Sequence, residues 1–159
     1  MKITILCVGK IQESFYREAV GEYVRRLSRY AAVKIVEVAD EKTPDEASSR
    51  EVELITGREG ARLLRAMPED GYVIALAIDG KKYDSVQLSR RLSGLMTGGK
   101  SHLVFVIGGS LGLSAEVLGR ADGKLSFSDL TFPHQLMRVL LLEQIYRSFR
   151  IMKGEPYHK

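Results

Sequence analysis

Apolar residues in this chain fall into two patterns that alternate from one end to the other: short unbroken runs, and stripes spaced three or four apart. The runs cover Lys2 to Val8, Val33 to Val38, Tyr72 to Ile78, His102 to Ile107 and, more briefly, Lys124 to Ser126. Runs this short and this rich in Val, Ile and Leu predict strands buried on both faces, the condition of a parallel sheet. Between them, Phe15, Ala19, Tyr23, Leu27 and Tyr30 form one helical stripe, with Arg17, Arg25, Arg26 and Arg29 on the solvated face. Val52, Ile55, Leu63, Leu64 and Met67 mark a second helix, punctuated by Gly57 and Gly60. Val86, Leu88, Leu92 and Leu95 mark a third, capped by Asp84 or Ser85 and ended by Gly98-Gly99. A short fourth helix follows Ser114, and the last runs from Pro133 to about Met152. Strands alternating with helices predict one α/β domain over residues 1–159, with a mainly parallel sheet sandwiched by helices. Asp40 to Ser49 reads as a charged loop.

The last helix departs from a one-sided stripe. Val139, Leu140, Leu141 and Leu142 are consecutive, and four in a row reach every side at 3.6 residues per turn. A helix apolar all round must be covered all round. With a sheet on one side, a second copy of the chain is the expected cover for the other, which predicts a symmetric homodimer.

Composition narrows the classes. Hydrophobic residues at 45% and charged residues at 28% exclude a disordered or fibrous chain. No apolar run is long enough for a membrane span, and the first is too short for a signal core, so a cytoplasmic protein with no membrane partner is expected. Cys7 stands alone inside the first run, where it packs as a small hydrophobe. No cluster of His, Cys, Asp or Glu has metal-ligand spacing, so no metal is expected. The net charge of +4 mildly favours a polyanionic partner.

Candidate chemistry lies in three loops that each follow a strand: Ile78 to Lys81, Gly108 to Leu113, and Phe127 to His134. In a parallel sheet all three emerge at the carboxyl edge, where ligands of open α/β folds bind. Gly108-Gly109-Ser110-Leu111-Gly112 is glycine-rich without being Gly-x-Gly-x-x-Gly, and no Gly-Lys-Ser/Thr follows. Together the loops offer main-chain amides, hydroxyls and apolar side chains with little charge, which suits an adenine better than a triphosphate. His134 opens the last helix, where backbone N–H groups disfavour its protonation. His102 opens a strand and reads as structural. The tail Gly154 to Lys159 is either a solvated end or a group of stacking and proton-transferring side chains.

The ordered set of motifs resembles the SPOUT-class methyltransferases, specifically the family that methylates N3 of a pseudouridine in large-subunit (23S) ribosomal RNA. The resemblance spans the whole chain. It is carried by Val8-Gly9-Lys10, Leu76-Ala77-Ile78-Asp79-Gly80, Phe105 to Gly112, Ser128 to His134, Arg138, Leu142 to Arg147, and Pro156-Tyr157-His158. It implies S-adenosyl-L-methionine as methyl donor, a carboxyl-terminal trefoil knot and an obligate homodimer acting on ribosomal RNA, with assembled ribosomes as the expected substrate. The implied cofactor-binding residues are Leu76, Gly108, Phe127, Ser128, Asp129, Leu130, Thr131 and Phe132. The implied catalytic candidates are His158 as base or orienter, Tyr157 beside it, and Arg138 against developing negative charge. A non-catalytic ribosome-associated assembly factor and a flavodoxin-like nucleotide-binding module are the competing expectations.

Overall fold

The computed structural model describes all 159 residues. Five strands, β1 (Lys2–Val8), β2 (Ala32–Val38), β3 (Tyr72–Lys82), β4 (His102–Ile107) and β5 (Gly123–Ser126), form one sheet in the order β2-β1-β4-β3-β5. Every neighbouring pair is parallel. Five helices connect or follow the strands: α1 (Ser14–Leu27), α2 (Ser49–Ala66), α3 (Ser85–Thr97), α4 (Ala115–Arg120) and α5 (His134–Met152).

Side chains alternate across a pleated strand, and the core divides accordingly. Ile3, Ile5, Cys7, Phe105 and Ile107 face one layer with Leu27 of α1, Leu92 of α3, and Leu141, Leu142 and Ile145 of α5. Leu6, Val8, Val104 and Val106 face the other with Leu63 of α2 and Val117 of α4. The unbroken apolar runs of β1 and β4 thus reflect strands covered on both sides. Burial pushes the Cys7 thiol up to about 12, so it stays protonated and inert.

Three helix starts carry side-chain caps, of which the one at Ser48 lies in the stretch read as a charged loop. Ser48 and Asp84 each make a capping box, with Glu51 and Gln87, and Ser114 accepts the Val117 N–H at 3.3 Å. Asp84, rather than Ser85, is therefore the cap of α3.

The helix α2 runs straight through both glycines, and Gly60 explains itself at the α2–α4 contact. A Cβ there would lie 2.2 Å from Ser114 Oγ, whereas Gly57 faces open space. Gly60→Ala is expected to break the Ser114 cap and cost about 1–3 kcal/mol by overpacking, read as a lowered melting temperature. Gly57→Ala should match or slightly exceed the parent.

The structure revises two expectations. First, α5 packs against both α1 and α3 at the centre of its layer, so its own chain covers more of it than the sequence pattern suggested. Of its half-buried apolar residues, Met137, Val139, Tyr146 and Met152 pack against the core, which leaves Leu136, Leu140 and Ile151 outside it. Second, β3 does not end at Ile78. It resumes after an irregularity, so that Leu76 and Lys81 both pair with Leu125. Between them Gly80 lies directly on β5, its Cβ position 2.7 Å from the Leu125 carbonyl carbon, which leaves no room for a side chain.

Candidate cofactor and substrate site

The carboxyl ends of β4, β3 and β5 are neighbours in the sheet, and they bring the predicted cofactor residues to one edge. The loop after β4 closes on itself: the Gly112 N–H donates to the Gly109 carbonyl at 3.1 Å, and Gly112 takes φ +84°. A Cβ on Gly108 would sit 2.8 Å from the Gly112 carbonyl carbon and oxygen. Glycine at 108 is thus required by the loop's own backbone.

The loop after β5 is shaped by Ser128, whose Oγ accepts the Leu130 N–H at 3.0 Å while its carbonyl accepts from Ser126 Oγ at 3.2 Å. Asp129 pairs with Lys82 at the surface, Thr131 is exposed and Phe132 is half-buried. Leu130 is 70% exposed and Ile78, at the irregularity of neighbouring β3, 58%. Large apolar side chains held open on a loop and the strand beside it are a ready contact for the flat face of a ligand. Leu76 is half-buried where the first segment of β3 ends. A cavity of about 340 Å³ opens beside this edge on the α3–α5 side, lined by Tyr83, Ser85, Leu88, Phe127, Leu140 and Gln144 among others. Of the predicted cofactor residues, Phe127 reaches it, while Leu76 and Gly108 do not line it.

Arg138 does not face this edge as an open cation. Its side chain is 0% exposed, with Nη1 donating to Glu37 at 2.8 Å and Nη2 to the carbonyls of Val8 and Gly9 at 3.2 and 2.7 Å. The expectation that it stabilises charge on a substrate gives way to a positioning role: it ties α5 to the turn after β1. His134 sits above it, with a buried Nδ1 that has no partner. Burial, and then the nearby Arg138 charge, hold the imidazole below its ordinary pKa, against an opposing pull from Asp40.

Sequence reasoning missed Glu59 of α2, which is 3% exposed beneath Gly109 and accepts the Glu41 N–H at 3.0 Å. Burial raises its carboxyl above the usual range. Its place inside a regular helix gave no signal. His102 is structural, between Thr4 Oγ1 at 2.9 Å and Asp70 at 3.0 Å.

The tail is docked, not solvated. Tyr157 Oη donates to Glu143 Oε1 at 3.0 Å, the ring meets Tyr146 edge-on at 5.0 Å, and Arg147 lies 4.6 Å over its face. Arg150 donates to the Pro156 carbonyl at 2.9 Å and pairs with Glu155, which also accepts from Tyr30 Oη. Burial, reinforced by the Glu143 hydrogen bond, pushes the Tyr157 phenol up to about 12 and keeps it a donor. A polar chain joins the tail to the cavity: Ser85 Oγ donates to Gln144 Oε1 at 2.8 Å, and Gln144 Nε2 to Glu143 Oε2 at 2.8 Å. Glu143 and Arg147, which anchor the tail, were named from the sequence only within the Leu142 to Arg147 motif, and their i,i+4 spacing was the signal that could have marked them as a pair.

A carboxyl edge of glycine and hydroxyl loops whose Asp129 and Asp79 are paired with Lys82 and Lys124, beside a tail rich in hydrogen-bonding side chains, is a setting suited to group transfer on an open parallel sheet. A family model described as predicted SPOUT methyltransferase matches residues 1–158. The chain is 55% identical over 159 residues to proteins of Clostridium kluyveri and Lysinibacillus sphaericus, and 54% identical to one of Clostridioides difficile. In each case the match covers 100% of both chains, and each relative is named ribosomal RNA large subunit methyltransferase H. The chain belongs to the SPOUT methyltransferase family.

Proposed function

We propose that this protein methylates N3 of a pseudouridine in large-subunit (23S) ribosomal RNA from S-adenosyl-L-methionine, on assembled ribosomes, as a cytoplasmic homodimer. The observation that carries the reading is the full-length match to relatives named large-subunit ribosomal RNA methyltransferases, in a chain whose candidate loops meet at one sheet edge. No helix is long and apolar enough to cross a membrane, and no three metal-ligating side chains gather to hold an ion.

The loops fit the cofactor. The exposed Leu130 and Ile78, with Leu76 and Phe127, offer apolar surface for an adenosine, and the main chain of Gly108 and of residues 127–132 offers hydrogen bonds to its edges. S-adenosylmethionine supplies a methyl group activated by a positively charged sulfur. A knotted carboxyl-terminal chain belongs to the same reading. The half-buried Leu136, Leu140 and Ile151 of α5, which lie outside the core, support a second copy docking there. The imide nitrogen of the target base carries a proton and is a poor nucleophile until that proton leaves. The protein's task is to hold the base in line with the methyl and to favour that loss. Tyr157 and His158 are the tail groups for this work.

The test is transfer of tritiated methyl groups to ribosomes that lack the modification, with the labelled nucleoside identified by mass. Label in N3-methylpseudouridine of the large subunit is the expected result. Ribosome binding without S-adenosylmethionine binding by calorimetry would mark an assembly factor instead.

A further inference from the structure

The side chain of Arg147 settles a question about its neighbour. Arginine has five N–H donors and no acceptor. Nε and Nη2 donate to Glu143, at 3.1 and 2.6 Å to Oε1, and Nη1 lies 3.3 Å from His158 Nδ1. That contact closes only if Nδ1 presents a lone pair. A neutral imidazole with a bare Nδ1 carries its proton on Nε2. The alternative tautomer, or a doubly protonated ring, would set an N–H against a guanidinium N–H.

Arg147 is itself fixed from two further directions. The Tyr157 ring lies under its guanidinium at 4.6 Å, and the same Glu143 carboxylate that holds Arg147 accepts the Tyr157 hydroxyl at 3.0 Å. Arg147 and Glu143 are mostly buried, with side chains 24% and 16% exposed, whereas His158 is exposed. A buried anchor thus holds one face of an exposed imidazole.

We propose that Arg147 is a positioning residue that fixes His158 as the Nε2–H tautomer, so that the imidazole meets the target base as a hydrogen-bond donor to a carbonyl beside the imide nitrogen. It does not take the imide proton. This rests on the reading that the tail works on the substrate base. In the step, the imide N–H bond breaks and its proton passes to solvent water. The electron pair left behind spreads from nitrogen onto the flanking carbonyl oxygens, where Nε2–H stabilises it. The pair on nitrogen then forms the bond to the methyl carbon as the carbon–sulfur bond breaks, its pair remaining on sulfur.

Two measurements on the full chain decide the matter. In nitrogen-15 NMR of the histidine-labelled protein at neutral pH, the resonance lost in a His158→Gln reference is expected to show protonated Nε2 and bare Nδ1. Arg147→Ala should return it to a mixture of tautomers. A wild-type signal with Nδ1 protonated would overturn the proposal and leave the reading of the tail intact. In ribosome methylation, His158→Ala is expected to lose about 10²–10³-fold in kcat, the usual effect of removing one such donor. His158→Gln keeps an N–H donor but cannot serve as a base, and should stay within about tenfold of wild type, a loss on the scale of a single 1.36 kcal/mol. Glutamine as slow as alanine would assign the imidazole as base and overturn the donor role. Near-normal turnover of His158→Ala would overturn both the donor role and the reading beneath it.

Discussion

Arg138→Leu is expected to melt about 6–20 °C below the parent, because removing one partner of a buried ion pair costs about 3–5 kcal/mol and each costs about 2–4 °C at this chain length. The substitution leaves the carbonyls of Val8 and Gly9 without their donor and strips the Glu37 carboxylate of its partner. Glu37 keeps a 34% exposed side chain and can recover water, so the lower end of the range is expected. Thermal melting followed by circular dichroism measures the loss. At a temperature where the variant is folded, S-adenosylmethionine affinity by calorimetry should lie within a few-fold of wild type. An unchanged melting temperature with a large fall in methyl transfer would return Arg138 to the substrate.

Gly108→Ala is expected to slow methyl transfer on the order of 10²-fold, the scale set by displacing binding groups by about 1 Å. The new methyl would lie 2.8 Å from the backbone of Gly112, so the whole turn between β4 and α4 must open. Cofactor affinity should fall with it. Gly119→Ala, which faces open space, should change neither and serves as the control. The cause is local, so the melting temperature should move little. A normal rate in a folded Gly108→Ala protein would mean that this loop does not shape the site.

The strands were legible because a parallel sheet buries both faces, and runs such as Ile3 to Val8 can do nothing else. The caps at Asp84 and Ser114 were legible because their chemistry is local. What escaped depended on distance along the chain. Asp79-Gly80-Lys81-Lys82 reads as loop, and it becomes strand only because β5, more than forty residues later, lies against it. The central place of α5 follows from sheet order, which no single helix encodes. The docked tail needs Tyr30 to meet Glu155, 125 residues apart. Arg138 reads as a surface cation until Glu37 and two carbonyls close around it. The candidate cofactor loops were visible as glycine and hydroxyl residues after apolar runs, but the reason for glycine at 108 lay in a backbone contact within the loop.

The sheet order also sets a timetable for synthesis. β1 is made before both strands that flank it, with β2 on one side and β4 on the other. Its neighbour β4 ends at Ile107, and the helix that covers its inner face, α5, ends at Met152. A ribosome adding about 5–20 residues per second therefore leaves Ile3 to Val8 half-covered for several seconds to tens of seconds. During that interval the nascent chain displays one of its most apolar segments with nowhere to put it.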